Sequence, residues 1–356
     1  MTLNPSNFVF DSPAGIDRSR VNREYMRANQ HLALQFPVEP LRYYFHPTFP
    51  GRTTLLVSQS HGFKTEWINF WSRSAAVSLR DETRRGVIIK ISTEDVIESL
   101  VESSISAFGG GRLDDISVGE IKDPEAFIKA ETVVGGLPIV HVGESLGMDD
   151  SNASLLCLSN IAKLIDYVRK DHFGEETPIA AIFLDYLQAL PFDKEMATNR
   201  NMTDSRTLQI NRDIDTFRRM TKYFACPGVV AAQASPDEGL TTRGETVKLP
   251  GFWDVHWSKY PPQRADFMYS LWIPKLHYPV GTWVDSKTKA ELSRWNFQVR
   301  NNSLWIKALK HKKYQNVGAS FPLLIKDNGD VEFDKVLHDK IVKMERGESL
   351  PTLTSY

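Results

Sequence analysis

The sequence predicts an α/β protein, with a mostly parallel central sheet flanked by helices. Three observations carry this. Runs such as 53–57 (Thr-Thr-Leu-Leu-Val) and 87–91 (Val-Ile-Ile-Lys-Ile) have the length and β-branched character of strands buried on both faces. They alternate with segments whose apolar residues recur at helical spacing, as in Trp67, Phe70, Trp71 and Ala75. The 356 residues, 41% hydrophobic and 24% charged, suffice for one large domain with extensions, or for two small ones.

In chain order, Asp17 to Gln35 spaces Val21, Tyr25, Ala28, Leu32 and Leu34 near-helically among arginines. Too short and polar to hold a core alone, it reads as a linker helix in an amino-terminal extension over 1–44. A turn-rich stretch from Phe45 to Gly51 leads into the first strand, and the main domain is expected over 45–330. Glu66 to Leu79 predicts a helix, 87–91 a strand, and Glu94 to Phe108 a helix stopped by Gly109-Gly110-Gly111. After a loosely patterned region come a strand over 137–142, an amphipathic helix through Leu155 and Val168, and a strand over 179–184. A helix from about Leu208 to Tyr223 precedes a strand at 228–232. The polar stretch from Ala234 to Gln263 is rich in Gly and Pro and reads as a mobile or binding loop. Strands at 268–273 and 304–309 bracket an insertion over 276–303 carrying Trp283, Trp295 and Phe297. The region 331–356 is expected to hold a helix from Lys335 to Met344 and a frayed end.

A net charge of -1 gives no global attraction to nucleic acid, so such binding would need a local basic surface. Cys157 and Cys226 lie in apolar stretches without CxxC spacing, which fits buried thiols in a reduced, cytoplasmic protein. No basic segment with an apolar run opens the chain, and no apolar stretch nears the roughly 20 residues of a membrane span, so no membrane partner is expected.

The chemistry concentrates at strand ends. A phosphate-binding loop needs a strand, a turn with inward N–H groups, a Lys for the β- and γ-phosphates, and a Ser or Thr for Mg²⁺ at a helix start. Ser58-Gln59-Ser60-His61-Gly62-Phe63-Lys64-Thr65 supplies that order. The glycines expected at Ser58 and Phe63 are missing, and Gly62 stands one position early. The strand 182–184 ends in Asp185, where an acid can orient water on Mg²⁺.

Leu184-Asp185-Tyr186-Leu187-Gln188 resembles the Walker B segment of DnaB-type replicative helicases. Ile91-Ser92-Thr93-Glu94 is similar to the strand end bearing that family's catalytic glutamate, and Cys226 to Gln233 to its strand ending in a nucleotide-sensing Gln. Gln263 to Met268 resembles its Gln-Asp-Ala-Asp stretch, and Lys310-His311-Lys312 falls where the family has a Lys-x-Arg pair reaching a neighbour's γ-phosphate. The resemblance covers roughly Phe45 to Leu324 and implies a RecA-like P-loop NTPase core using ATP and Mg²⁺. It implies Lys64 and Thr65 at phosphate and metal, Asp185 at the metal, Glu94 as base, Gln233 as sensor, and Lys310 and Lys312 acting across a subunit boundary. Lysine in place of arginine at 312 offers only a point charge to the transition state.

The loop after Gln233 interleaves Arg243, Lys248, Lys259 and Arg264 with Phe252, Trp253, Trp257 and Tyr260, a composition suited to single-stranded DNA. The alternative is that the rings anchor the loop and the charges are a solvated surface. The 17–35 helix either docks on a neighbouring copy, implying a homo-oligomeric ring, or packs on its own domain. The 276–303 insertion is a candidate surface for a protein partner. Three functions follow: a DnaB-type, ATP-driven motor acting on single-stranded DNA in replication or a related transaction; a degenerate scaffold or loader that assembles with partners; or a recombinase-like or clock-like RecA relative that uses ATP to switch assemblies rather than unwind.

Overall fold

The computed structural model describes residues 12–28, 30–82, 85–149, 152, 155–174, 176–192, 206–235, 250–284, 297–311 and 318–345. Within them, β1 (Thr53–Ser58), β2 (Val87–Ser92), β3 (Ile139–Val142), β4 (Ile179–Asp185), β5 (Gly228–Gln233) and β6 (Phe267–Trp272) form a parallel array. The antiparallel β9 (Ser303–His311), β10 (Ser320–Ile325) and β11 (Val331–Phe333) extend it beyond β6. The nine-stranded order is β11-β10-β9-β6-β1-β5-β4-β2-β3. A separate two-stranded hairpin pairs β7 (Trp283–Val284) with β8 (Phe297–Gln298).

Alternation along each strand sorts its side chains onto two covered faces. Leu56, Ile88, Phe183 and Val229 meet α2 (Lys64–Asp81) through Trp67, Ile68 and Trp71. Leu55, Ile89, Ile182 and Val230 meet α6 (Leu158–Val168) and α7 (Arg206–Tyr223) through Ile161, Ile165, Ile214 and Phe217. Both cysteines are buried, and neither is in a disulfide.

The departures from expectation have local causes. The amino-terminal helix, α1, spans Ser12–Ala28 rather than reaching Gln35, because Leu34 pairs with Thr48 in a β-bridge and enters the core. Phe36, Val38 and Leu41 are buried with it, so the packed domain begins upstream of residue 45. Phe36 stacks on Phe45 at 4.4 Å and meets Trp71 and Tyr269 edge-on, which pins this segment to the sheet. After α3 (Ile97–Ala107), the loosely patterned region folds as α4 (Leu113–Ser117) and α5 (Pro124–Gly135), the latter capped by the Asp123 side chain on Ala126 N–H. The sheet continues past residue 330 through β11, where Arg73 and Asp330 pair at 3.0 Å. Within the long loop, Tyr260–Arg264 is a short helix, α8. The chain closes its described part with α9 (Lys335–Glu345).

Candidate nucleotide site

Register brings the predicted chemistry to one edge of the sheet. Ser58 pairs with Gln233 and Ser92 with Asp185, so β1, β2, β4 and β5 all end on the same side, where open α/β sheets bind ligands. A cleft of about 460 Å³ opens there, lined by Ser60 to Glu66, Glu94 and Asp95, and faced by Ile273, Lys275, Leu276 and Ile325.

The loop from Ser58 to Phe63 turns without the expected glycines. Phe63 takes φ 70° and His61 φ 59°, left-handed values that cost a non-glycine residue roughly 1–2 kcal/mol each. Gly62 is needed for closeness: a Cβ there would lie 1.9 Å from Ser58 Oγ and 2.8 Å from Gln59 O. Ser58 Oγ donates to Gly62 O at 2.5 Å and Gly62 N–H to Gln59 O at 3.0 Å, bracing the turn from within. The loop brings the amino end of α2 to the cleft, and the unpaired N–H groups of a helix's first turn favour an anion.

Lys64, buried at the start of α2, lies 3.3 Å from Glu94 Oε2, with its ammonium 4.4 Å over the Tyr186 ring. Thr65 serves Asp185: its hydroxyl is hydrogen-bonded to that carboxylate. Burial pushes the Asp185 carboxyl up to about 6, with Thr65 and Lys64 opposing. Its Oδ1 is buried with no partner among the described residues, an unmatched acceptor that fits a metal site. Among the described residues no cluster of three or more His, Cys, Asp or Glu would hold an ion alone. The Thr65 and Asp185 oxygens therefore fit Mg²⁺ that keeps water and phosphate ligands.

Thr93 fastens the two acids together. Its N–H donates to Asp185 O at 2.7 Å, and its hydroxyl oxygen accepts from Tyr186 N–H at 3.1 Å. Behind them Lys90 is buried in β2; desolvation chiefly, and then Arg73, push its ammonium down to about 7, against Asp185, Asp95 and Glu66.

Gln233 ends β5 beside this group and is bound by the Gln188 side chain. Gln233 N–H donates to Gln188 Oε1 at 3.0 Å, and Gln188 Nε2 donates to Gln233 O at 3.1 Å. Residues 250–258 hang from the same point through His256 N–H on Gln233 O at 2.9 Å. There Trp253 and Trp257 are about half exposed, and the Arg206 guanidinium stands 5.7 Å from the Trp257 ring.

The other predicted residues lie apart. Lys310 donates to Pro262 O at 2.7 Å and Gln263 O at 2.9 Å, tying β9 to α8. Lys259 is exposed at the start of α8, whereas Arg264 is held by Asp215 at 2.6 Å. Arg243, Lys248 and Lys312 lie outside the described residues. Sequence reading missed Thr93, Gln188 as a ligand of Gln233, and His277, whose Nε2 donates to Gln59 Oε1 at 2.5 Å. The Asp-Tyr-Leu-Gln run carried the signal for Gln188; nothing local signals His277, which is far from Gln59 in sequence.

Comparison with solved structures bears on this arrangement. A DnaB-like replicative helicase, in a structure describing its interactions with primase, superposes with a TM-score of 0.60 at 15% identity. The match covers 81% of this chain and 60% of that one. The ATPase domain of G40P gives 0.63 at 15% identity, covering 89% of this chain and 98% of that domain. The fold is a RecA-like α/β core. No family model matches the sequence, and no curated protein does. This chain therefore shares an architecture with helicase ATPase domains at an identity that shows the fold alone. Among the described residues, no helix is long and apolar enough to cross a membrane.

Proposed function

We propose that the protein is an ATP-dependent, ring-forming DNA motor or helicase-like ATPase of the DnaB type. The observation that supports this most is the convergence of Lys64, Thr65 and Glu94 on one cleft at the carboxyl ends of β1, β2 and β4, with the buried Asp185 hydrogen-bonded to Thr65 at its edge. In this reading Lys64 leaves Glu94 for the β- and γ-phosphates, and the α2 amino end binds them. Thr65 and Asp185 would hold Mg²⁺, which would supply neutralisation of the phosphate charge. Glu94, half exposed at the cleft, accepts the proton of the attacking water. Gln233 passes the state of the site to residues 250–258, where Trp253 and Trp257 offer stacking surfaces to a single strand, with Arg243, Lys248 and Lys259 as phosphate contacts and Arg264 engaged by Asp215.

Ring assembly draws on α1, whose exposed Ile16 and Val21 are apolar residues that a neighbouring copy would cover, with Lys310 and Lys312 reaching that copy's nucleotide. The hairpin insertion is the candidate surface for a further protein partner. The reading places the protein in the cytoplasm, where Cys157 and Cys226 stay reduced.

A second reading, a scaffold or loader with weak nucleotide binding, draws on one observation: Phe63 and Ser58 occupy positions where glycine would leave phosphate room. ATP binding and steady-state hydrolysis, with and without single-stranded DNA and with Lys64→Ala as control, separate the two. DNA-stimulated turnover lost in the variant supports the motor. A folded chain with neither binding nor turnover overturns it in favour of the scaffold.

A further inference from the structure

We propose that the root of the hairpin insertion controls the phosphate loop, and that His277 is the positioning residue through which it does so. The nucleotide arm of this inference rests on the ATP-binding reading above; the structural arm does not. β6 runs beside β1 with Leu271 in register with Ser58, so the chain leaving Trp272 emerges level with the phosphate loop. It turns at once through the short 3-10 segment Pro274–Leu276, which sets Ile273, Lys275 and Leu276 against the cleft as its far wall. His277 follows, and its Nε2 reaches Gln59 Oε1 at 2.5 Å; an amide oxygen only accepts, so the imidazole donates.

The donor ring is itself held. His277 stacks on Trp272 with centroids 6.3 Å apart and planes 22° from parallel. Trp272 is 2% exposed and belongs to a small core of its own with Val284, Phe297, Val299, Trp305 and Ile341. That core joins the ends of β6 and β9 to the β7–β8 hairpin and α9, so His277 is stacked on the joint where the insertion meets the sheet. On the other side of the bond stands a loop in need of an external hold. Two of its non-glycine residues sit in left-handed backbone, and such conformations persist only when the surroundings over-determine them. Ser58 braces the loop from within and His277 from outside. A loop of glycines would reach this shape unaided; this one is kept in it by the insertion.

Hydrogen exchange of peptides spanning 58–65 in the nucleotide-free full chain, together with calorimetric titration of MgATP, tests this in His277→Ala, His277→Gln, Gln59→Ala and the His277→Ala/Gln59→Ala pair. The expected result is loop exchange about tenfold faster in each alanine variant, no faster in the pair than in either alone, and restored by His277→Gln, whose amide can donate from the same place. MgATP affinity is expected to fall about tenfold in His277→Ala and to recover in His277→Gln. Unchanged loop exchange in His277→Ala overturns the proposal. So does additive behaviour of the pair, or a wild-type chain that binds MgATP and a His277→Ala chain that binds it as tightly. If the wild-type chain binds no MgATP, the nucleotide reading falls and the exchange data decide the role of His277 by themselves.

Discussion

Lys64 Nζ stands 3.3 Å from Glu94 Oε2, so the phosphate-loop lysine and the candidate base form a single ion pair across the mouth of the cleft. Replacing Glu94 by Gln removes the charge and the proton acceptor while leaving Lys64 free for phosphate. Turnover should drop at least ~100-fold, with ATP affinity held within about threefold. Single-turnover kinetics beside equilibrium binding would show it; retained turnover would remove Glu94 from the reaction.

Asp185 gives a signed dependence on pH. Its carboxyl titrates near 6 in the fold and near 3.9 in the unfolded chain, so the native state holds the extra proton between those values. Its contribution therefore falls as pH rises from about 4 to about 6 and is flat above. Asp185→Asn should stabilise the chain at pH 7 to 8 by on the order of 2–3 kcal/mol, a gain that shrinks toward pH 4. Urea melts across that range decide it, and a gain independent of pH would count against the assignment.

Lys90 carries the opposite chemistry within the same neighbourhood. Its ammonium is depressed to about 7 by burial, against about 10.4 unfolded, so its contribution to stability falls as pH drops from about 10 to about 7. Lys90→Met, similar in length and free of charge, should raise stability at neutral pH by up to roughly 4 kcal/mol and by much less at pH 10. Thermal melts at the two pH values would read the difference directly.

Gln188 is buried and spends both ends of its amide on Gln233. Gln188→Leu leaves the Gln233 N–H and carbonyl without those partners and should cost about 2–4 kcal/mol. Gln188→Glu should cost no less, since a carboxylate oxygen then faces the Gln233 and His256 carbonyls. Stability near wild type in either variant would show that the pairing is dispensable.

Periodicity and strand length made the parallel half of the sheet legible, because those strands are buried on both faces and read as unbroken apolar runs. The strand ends at Glu94, Asp185 and Gln233 were legible for the same reason: each is the first polar residue after such a run, or close behind it. β10 and the edge strand β11 were not, since Pro322 interrupts the one and the other is three residues long. α4 and α5 escaped because they pack on α3 through a small satellite cluster, with little apolar stripe to betray them. Two of the site's contacts depend on distance in the fold alone. No pattern near Gln59 announces His277, and the pairing of Arg264 with Asp215, which occupies an expected DNA contact, is equally silent in sequence.

The central position of β1 bears on how the chain is made. Its two neighbours, Gly228–Gln233 and Phe267–Trp272, come from far downstream. During vectorial synthesis β2, β3 and β4 can assemble as a three-stranded sheet, while β1 waits with its apolar side chains unpaired. The loop that begins at the last residue of β1 therefore gains its first strand partner only once β5 has been made and its second with β6, so the candidate nucleotide site completes late in synthesis.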